Sequence, residues 1–334
     1  MSNLPTVLII GCGSIGERHL RTFLATGRCQ AIACDTRPAI LSDMAEKYKV
    51  ETFTDWKQAM ETPGCTIVVI CTPAPYHVSI ATEVLQSGRH CLIEKPLSLS
   101  LEGTKQLTAA HTASGRACQV AYVNHSRPEL RAAKAFLETG QYGRVRAATI
   151  NGGQNFPTYR PAYREIYYAD RAQGGGAIQD ALTHWINLME WVLGPTESLS
   201  CVADHQVLEG VEVEDTVSVI TRTKEGAIVT YAMNQFQACN ESTIQFHAET
   251  GSVKIEYHNS RCGHMALGET EWTWETFEPL DRDGPFVIQA NDFMDATEGK
   301  DTPMASLADG IQALRFNLAC FESLRTGSRV SISE

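Results

Sequence analysis

The sequence predicts an α/β protein in two parts: a doubly wound parallel sheet over residues 1–123, then an α/β domain over 124–334 built on a mostly antiparallel sheet. Three observations carry this. Thr6-Val7-Leu8-Ile9-Ile10 reads as a buried strand running into a glycine-rich turn, Gly11-Cys12-Gly13-Ser14-Ile15-Gly16. Apolar strands and amphipathic helices then alternate as far as residue 123, the signature of a parallel sheet covered on both faces. From Ser198 to about Trp274 the pattern turns to period-two strands separated by turns, as in an antiparallel sheet.

Bulk properties narrow the function classes. A chain of 334 residues suits two domains, each with its own core. Its formal charge of −11 argues against a general attraction to nucleic acid or an anionic membrane. The 11 cysteines form no CxxC pair and no metal-ligand spacing, which points to a reducing cytoplasm, no disulfide framework and no metal. No secretory signal is visible, and no apolar run reaches the ~20 residues of a membrane span.

In the glycine turn the first glycine permits the tight bend, the second lets backbone approach a phosphate, and the third lets helix pack on strand. A diphosphate would sit at the N-terminus of the helix carrying Ile15, Leu20, Phe23 and Leu24. The next strand, 31–34, ends in Asp35, about twenty residues past the last glycine, where a carboxylate reads the adenosine ribose hydroxyls. These residues define a dinucleotide site. Asp35 would repel a 2′-phosphate and favours NAD, whereas Arg37 could hold that phosphate and leaves NADP open.

Helices over 38–48, 54–61, 76–86 and 101–113 alternate with strands at 66–71, 91–93 and 117–123. The strand ends at Gly11, Asp35, Thr72, Glu94-Lys95 and Asn124 should line one crevice. Lys95, at the end of a central strand, could hydrogen-bond a substrate hydroxyl, or it could be a surface charge paired with Glu94.

In the back half, a helix over 127–139 and a strand over 144–151 lead to an irregular stretch, 156–176. Tyr159, Tyr163, Tyr167 and Tyr168 fall there with Arg160, Arg164 and Arg171, a mixture suited either to a polyhydroxylated ligand or to an interface. A helix follows over 178–193. Asp180, His184 and Asn187 stand at i, i+4 and i+7 on its flank, where a carboxylate can orient a histidine; a helix N-terminal aspartate and a core histidine are the plainer alternative. Strands follow over 216–223, 227–234, 243–248 and 252–258, then helices over 287–298 and 307–324, the last of which could pack back on the first domain. His205, His247 and His258 read as ordinary strand residues.

The motif set resembles the Gfo/Idh/MocA family over essentially the whole chain. The likeness rests on GCGSIG at 11–16, Cys71-Thr72-Pro73 with His77, Glu94-Lys95-Pro96, and Gly175-Gly176 followed by Asp180 and His184. It implies a Rossmann domain, then a domain whose sheet is open and makes a homodimer or homotetramer interface. The implied chemistry is NAD(P)-dependent oxidation of a sugar or cyclitol hydroxyl, or the reverse. By the same resemblance Lys95 lies beside the reacting carbinol, His184 is the general acid/base, and Asp180 holds substrate hydroxyls, the histidine, or both. Glu94 helps to fix the nicotinamide ribose, with Thr72 and His77 nearby, and the bond before Pro96 is cis. Asn124 stands in a Val123-Asn124-His125 run where many members have Phe-Asn-Arg, so the substrate-touching residue among Asn124, His125 and Arg127 stays open. Tyr159, Arg160, Tyr163 and Arg164 complete the substrate candidates. Relatives also suggest a glycosidase that oxidises, eliminates and re-reduces, and a non-catalytic sensor. The intact Lys95, Asp180 and His184 argue against the sensor.

Overall fold

The computed structural model describes residues 4–332. Its first elements alternate as their apolar runs require: β1 (Thr6–Ile10), α1 (Ser14–Ala25), β2 (Gln30–Cys34), α2 (Pro38–Tyr48), β3 (Glu51–Phe53), α3 (Trp56–Met60), β4 (Cys65–Ile70), α4 (His77–Gln86), β5 (His90–Ile93), α5 (Thr104–Ser114) and β6 (Cys118–Val120). The six strands pair in the order β3-β2-β1-β4-β5-β6, all parallel. Every β1 residue is buried, as covering by helices on both faces demands. Strand order reverses between β1 and β4, so a ligand crevice is expected beyond their C-terminal ends. The strand expected over 117–123 is shorter, because the chain turns away over 123–126.

The second unit begins at Asn124. It contains α6 (Pro128–Glu138), β7 (Val145–Gly153), α7 (Phe156–Tyr159), α8 (Thr183–Leu193), β8 (Thr196–Asp204), β9 (Thr216–Thr223), β10 (Ile228–Asn234), β11 (Glu241–Ala248), β12 (Gly251–Glu256), β13 (Arg261–Ala266) and β14 (Thr273–Thr276). With a final short strand these make a nine-stranded sheet. It is antiparallel except where β7 runs parallel to β10. Alternating burial along β9 leaves one face covered and the other open. Two of the three histidines expected in strands lie outside them. His205 follows β8, with its ring on the Leu208 carbonyl at 2.5 Å, and His258 sits in a single turn after β12.

After Pro279 the chain leaves the second unit. Residues 280–311 belong to the first, including α9 (Gly284–Thr297). Phe293 and Met294 of α9 are buried in one cluster with Val7, Ile9, Phe23 and Val69, and Arg28 of the α1–β2 turn reaches Asp295 at 2.8 Å. The single boundary expected at 123/124 is therefore corrected: the first core is completed by a helix from late in the sequence, which local periodicity cannot assign to either sheet. In α10 (Leu307–Thr326), residues as far as Ile311 belong to the first unit and those from Gln312 onward to the second; β15 (Val330–Ser331) then closes the sheet edge against β8.

Candidate active site

In the first unit, Gly11 turns the chain with φ +87°, and a Cβ there would lie 2.7 Å from the Cys71 carbonyl oxygen at the end of β4. A Cβ on Gly16 would sit 1.8 Å from the Gly11 oxygen, so helix and turn close only around glycine. Gly13 caps α1 with no side chain closing the helix end. The first-turn N–H groups around Ser14, Ile15 and Gly16, which have no intrahelical acceptor, are left for an anion. Beside them Asp35 is buried and accepts from the Cys12 N–H at 2.8 Å. Burial alone would push this carboxyl up, but hydrogen bonds from Arg37 and Cys12 hold it below its usual range. Burial and the Asp35 charge push the Cys12 thiol up to about 12, so it stays neutral beside the phosphate cradle. Arg37, considered as a phosphate holder, donates from Nε and Nη2 to both Asp35 oxygens at 2.9 Å. The residues present fit a dinucleotide.

The end of β5 brings Glu94 and half-buried Lys95 to the same edge of the sheet, and the Lys95–Pro96 peptide is cis. Glu94 is only 5% exposed. Its Oε1 meets His19 Nε2 at 2.7 Å and its Oε2 accepts the Lys95 backbone N–H at 2.9 Å. Burial opposes ionisation here, yet the His19 contact and the nearby Lys95 charge hold this carboxyl below its usual range. His77, expected to touch cofactor, is buried with Nε2 2.7 Å from the Thr72 carbonyl and Nδ1 3.0 Å from that of Pro96. Both ring nitrogens are thus engaged with backbone, and His77 braces the two strand-end turns. Burial pushes its imidazole below the ordinary value. Thr72 Oγ1 is buried with no partner among the described residues, a polar group suited to a ligand at this edge.

In the second unit the expected regular helix over 178–193 opens instead with a π turn at Ile178–Leu182, and α8 follows. Such turns widen the backbone locally and often accompany functional residues. The carboxylate serving the helix start is Glu214, not Asp180. Glu214 is buried, accepts the Ile178 N–H at 3.2 Å and pairs with Arg171 at 2.7 Å. Asp180 is 1% exposed. Its Oδ1 accepts from Tyr167 Oη at 2.5 Å and its Oδ2 from Arg160 Nη1 at 3.3 Å. The charge of Asp180 in turn raises the Arg160 pKa above its ordinary value, against the burial that lowers it. His184, half-buried, lies one turn on. Asn187 does not extend the row; its Oδ1 meets His125 Nε2 at 2.7 Å, and that ring stacks on Trp191.

The aromatic stretch divides. Arg160 and Tyr167 reach Asp180, and Tyr159 is exposed. Tyr163, expected to meet substrate, is a core residue packed with Phe156 and Tyr168, its hydroxyl donating to the Glu209 carbonyl. Arg164 Nε donates to that carbonyl too and braces the same loop. Asn124 is buried and accepts from Tyr257 Oη at 3.4 Å, while Arg127 lies 3.8 Å above the Tyr257 ring and pairs with Glu129. His19 and the Tyr167–Asp180 contact escaped sequence reasoning. A polar residue on the apolar face of α1 was the available signal for the first; nothing local marked Tyr167 above its neighbours.

A phosphate-binding turn on a doubly wound sheet, joined to a unit presenting an acid–histidine row, defines a dinucleotide-dependent oxidoreductase. Residues 6–122 match the model for the oxidoreductase family with an NAD-binding Rossmann fold, and 130–254 match the GFO/IDH/MocA C-terminal domain. The chain belongs to this family, and its first unit is an NAD-binding domain. Levoglucosan dehydrogenase of Pseudarthrobacter phenanthrenivorans is 23% identical, the match covering 100% of this chain and 99% of that protein. Inositol 2-dehydrogenase of Pseudomonas syringae pv. syringae is 23% identical, covering 97% and 96%. The structure of a levoglucosan dehydrogenase with NADH and levoglucosan superposes with a TM-score of 0.88 at 22% identity, covering 100% of both chains, which establishes the shared fold.

Proposed function

We propose that this chain is an NAD-dependent dehydrogenase of a sugar, sugar derivative or cyclitol. The observation that carries the reading is the buried Asp180 carboxylate, held by Tyr167 and Arg160 one helical turn before His184. Its support is the set of relatives that act on levoglucosan and inositol. When bound, the dinucleotide supplies the hydride acceptor or donor. Asp180, with Arg160 and Tyr167, orients substrate hydroxyls or the His184 ring. His184 takes the proton of the reacting hydroxyl, the general acid/base exchange to which an imidazole is suited. Lys95 hydrogen-bonds the same oxygen and balances its negative charge. Asn124 borders the substrate, and Tyr159 lies at its rim. Gly11, Gly13, Ser14, Ile15, Gly16, Asp35 and Thr72 hold the cofactor, with Asp35 selecting NAD.

Two further readings complete the proposal. The open sheet face, where Val202, Ile220 and Ile228 are 74%, 58% and 46% exposed, is the homodimer or homotetramer interface; sedimentation of the purified protein as a monomer would count against it. All 11 cysteines are free, and among the described residues no helix is long and apolar enough to cross a membrane, which supports a place in the reducing cytoplasm.

The test is a screen of NAD-loaded protein against neutral aldoses, cyclitols, sugar acids and UDP-sugars, followed at the NADH absorbance. Turnover on one class supports the reading. Tight NADH binding without turnover on any of them would indicate a sensor. Glycoside cleavage without net NADH would indicate the oxidation–elimination cycle.

A further inference from the structure

His19 has no part in the chemistry described so far, yet it is 1% exposed and meets a carboxylate that is itself buried. It stands on α1, the helix whose open N-terminus faces the phosphate cradle. Its ring is walled by Phe286, edge-on at 5.6 Å between centroids, and by Phe23 at 6.4 Å. Because Glu94 Oε1 lies 2.7 Å from Nε2, the ionised carboxylate accepts and Nε2 carries the proton. The second Glu94 oxygen accepts the Lys95 N–H. A continuous chain of contacts therefore runs from the dinucleotide helix through imidazole and carboxylate to the peptide of Lys95.

We propose that His19 is a positioning residue that acts through Glu94 to fix the backbone of Lys95. A buried carboxylate that loses a partner must turn toward another donor or admit water, since leaving it under-satisfied is costly. With His19 present, Oε1 is engaged and Oε2 is held on the Lys95 amide. Without it, the carboxylate has no reason to keep that orientation, and the strand end carrying Lys95 is freed. The consequence for turnover rests on the proposed role of Lys95; the consequence for the backbone does not.

The experiment separates the two. Amide-resolved hydrogen exchange is measured on the unliganded protein for wild type, His19→Ala and His19→Gln. The Lys95 amide should exchange about tenfold faster or more in His19→Ala, the size of one lost hydrogen bond to a charged acceptor. His19→Gln, which keeps an N–H donor, should restore most of the protection. The Glu94 amide, bonded to the Ile70 carbonyl at 2.9 Å, is the internal reference and should not change. In the NAD-loaded enzyme His19→Ala should lower kcat at least about tenfold on the same grounds, with NADH affinity nearly unchanged. Unchanged Lys95 exchange, or acceleration of both amides together, overturns the inference. Normal exchange effects in a protein with no dehydrogenase turnover would leave His19 in its role and remove the proposed function instead.

Discussion

Two buried carboxylates, Glu94 in the first unit and Asp180 in the second, each stand close in sequence to a residue proposed to act on the reacting oxygen, yet they are held in different ways. Glu94 takes its partners from regular structure, a histidine on α1 and the next amide of its own strand end. Asp180 sits in a π turn and takes its partners, Tyr167 and Arg160, from an irregular stretch between short helical turns. The difference teaches where each half of the proposed chemistry is fixed. A site for one unchanging coenzyme can be built into strand ends and a helix. A site for a sugar of particular shape needs a segment whose loops can vary without disturbing a core.

Lys95→Ala and His184→Ala are the largest tests of that contrast. Each should lower kcat by about 10²–10⁴, the usual contribution of a placed general acid or base, while NADH affinity, measured by fluorescence titration, stays within a few-fold of wild type. Near-normal turnover in either variant would break the pairing of the two carboxylate sites with one reaction.

The first unit was largely legible because its signals are local. Gly11 and Gly16 are required by backbone geometry, and Asp35 follows at the distance that a strand–helix–strand unit sets. The second was legible as elements but not as contacts. Periodicity gives α8 and the β-strands, but it cannot show that Ile178–Leu182 is widened into a π turn or that Glu214, far along the chain, serves the helix start. Tyr163 and Tyr167 illustrate the limit. Four residues apart in one aromatic cluster, one lies in the core and the other holds Asp180, and composition treats them alike. The return of 280–311 to the first unit was hidden for a related reason: a helix declares its apolar face, not the sheet it covers.

Next in size is cofactor choice. Asp35→Ala removes the carboxylate that grips Arg37 and leaves the guanidinium available to a 2′-phosphate. The ratio of kcat/KM for NAD over NADP should fall by about 10–100-fold, comparable to one or two charge-assisted hydrogen bonds changing hands. An unchanged ratio would mean that specificity lies outside the Asp35–Arg37 pair. Tyr167→Phe is smaller and probes the adaptable side. It should raise the substrate KM about tenfold, the effect of one hydrogen bond to a charged group, and leave NADH binding untouched. A matching loss of NADH affinity would place Tyr167 on the cofactor and erase the contrast between the two carboxylates.

The smallest effect concerns pH and the rigid side alone. Glu94 has a folded-state pKa below its ordinary 4.5, so its ionised form stabilises the fold at pH values above the unfolded value. That contribution is lost as pH falls through the folded value, because the folded carboxylate must then take up a proton. Glu94→Gln lacks this contribution at every pH. Denaturant midpoints of wild type and Glu94→Gln should therefore be furthest apart near neutrality and converge below about pH 4.5. The surface carboxylates that acid also titrates are common to both proteins and cancel in the difference. A gap that stays constant to about pH 3 would show that the His19–Glu94 contact carries no net electrostatic stabilisation and acts through packing alone, which would weaken the distinction between a charge-fixed strand end and a loop-held Asp180.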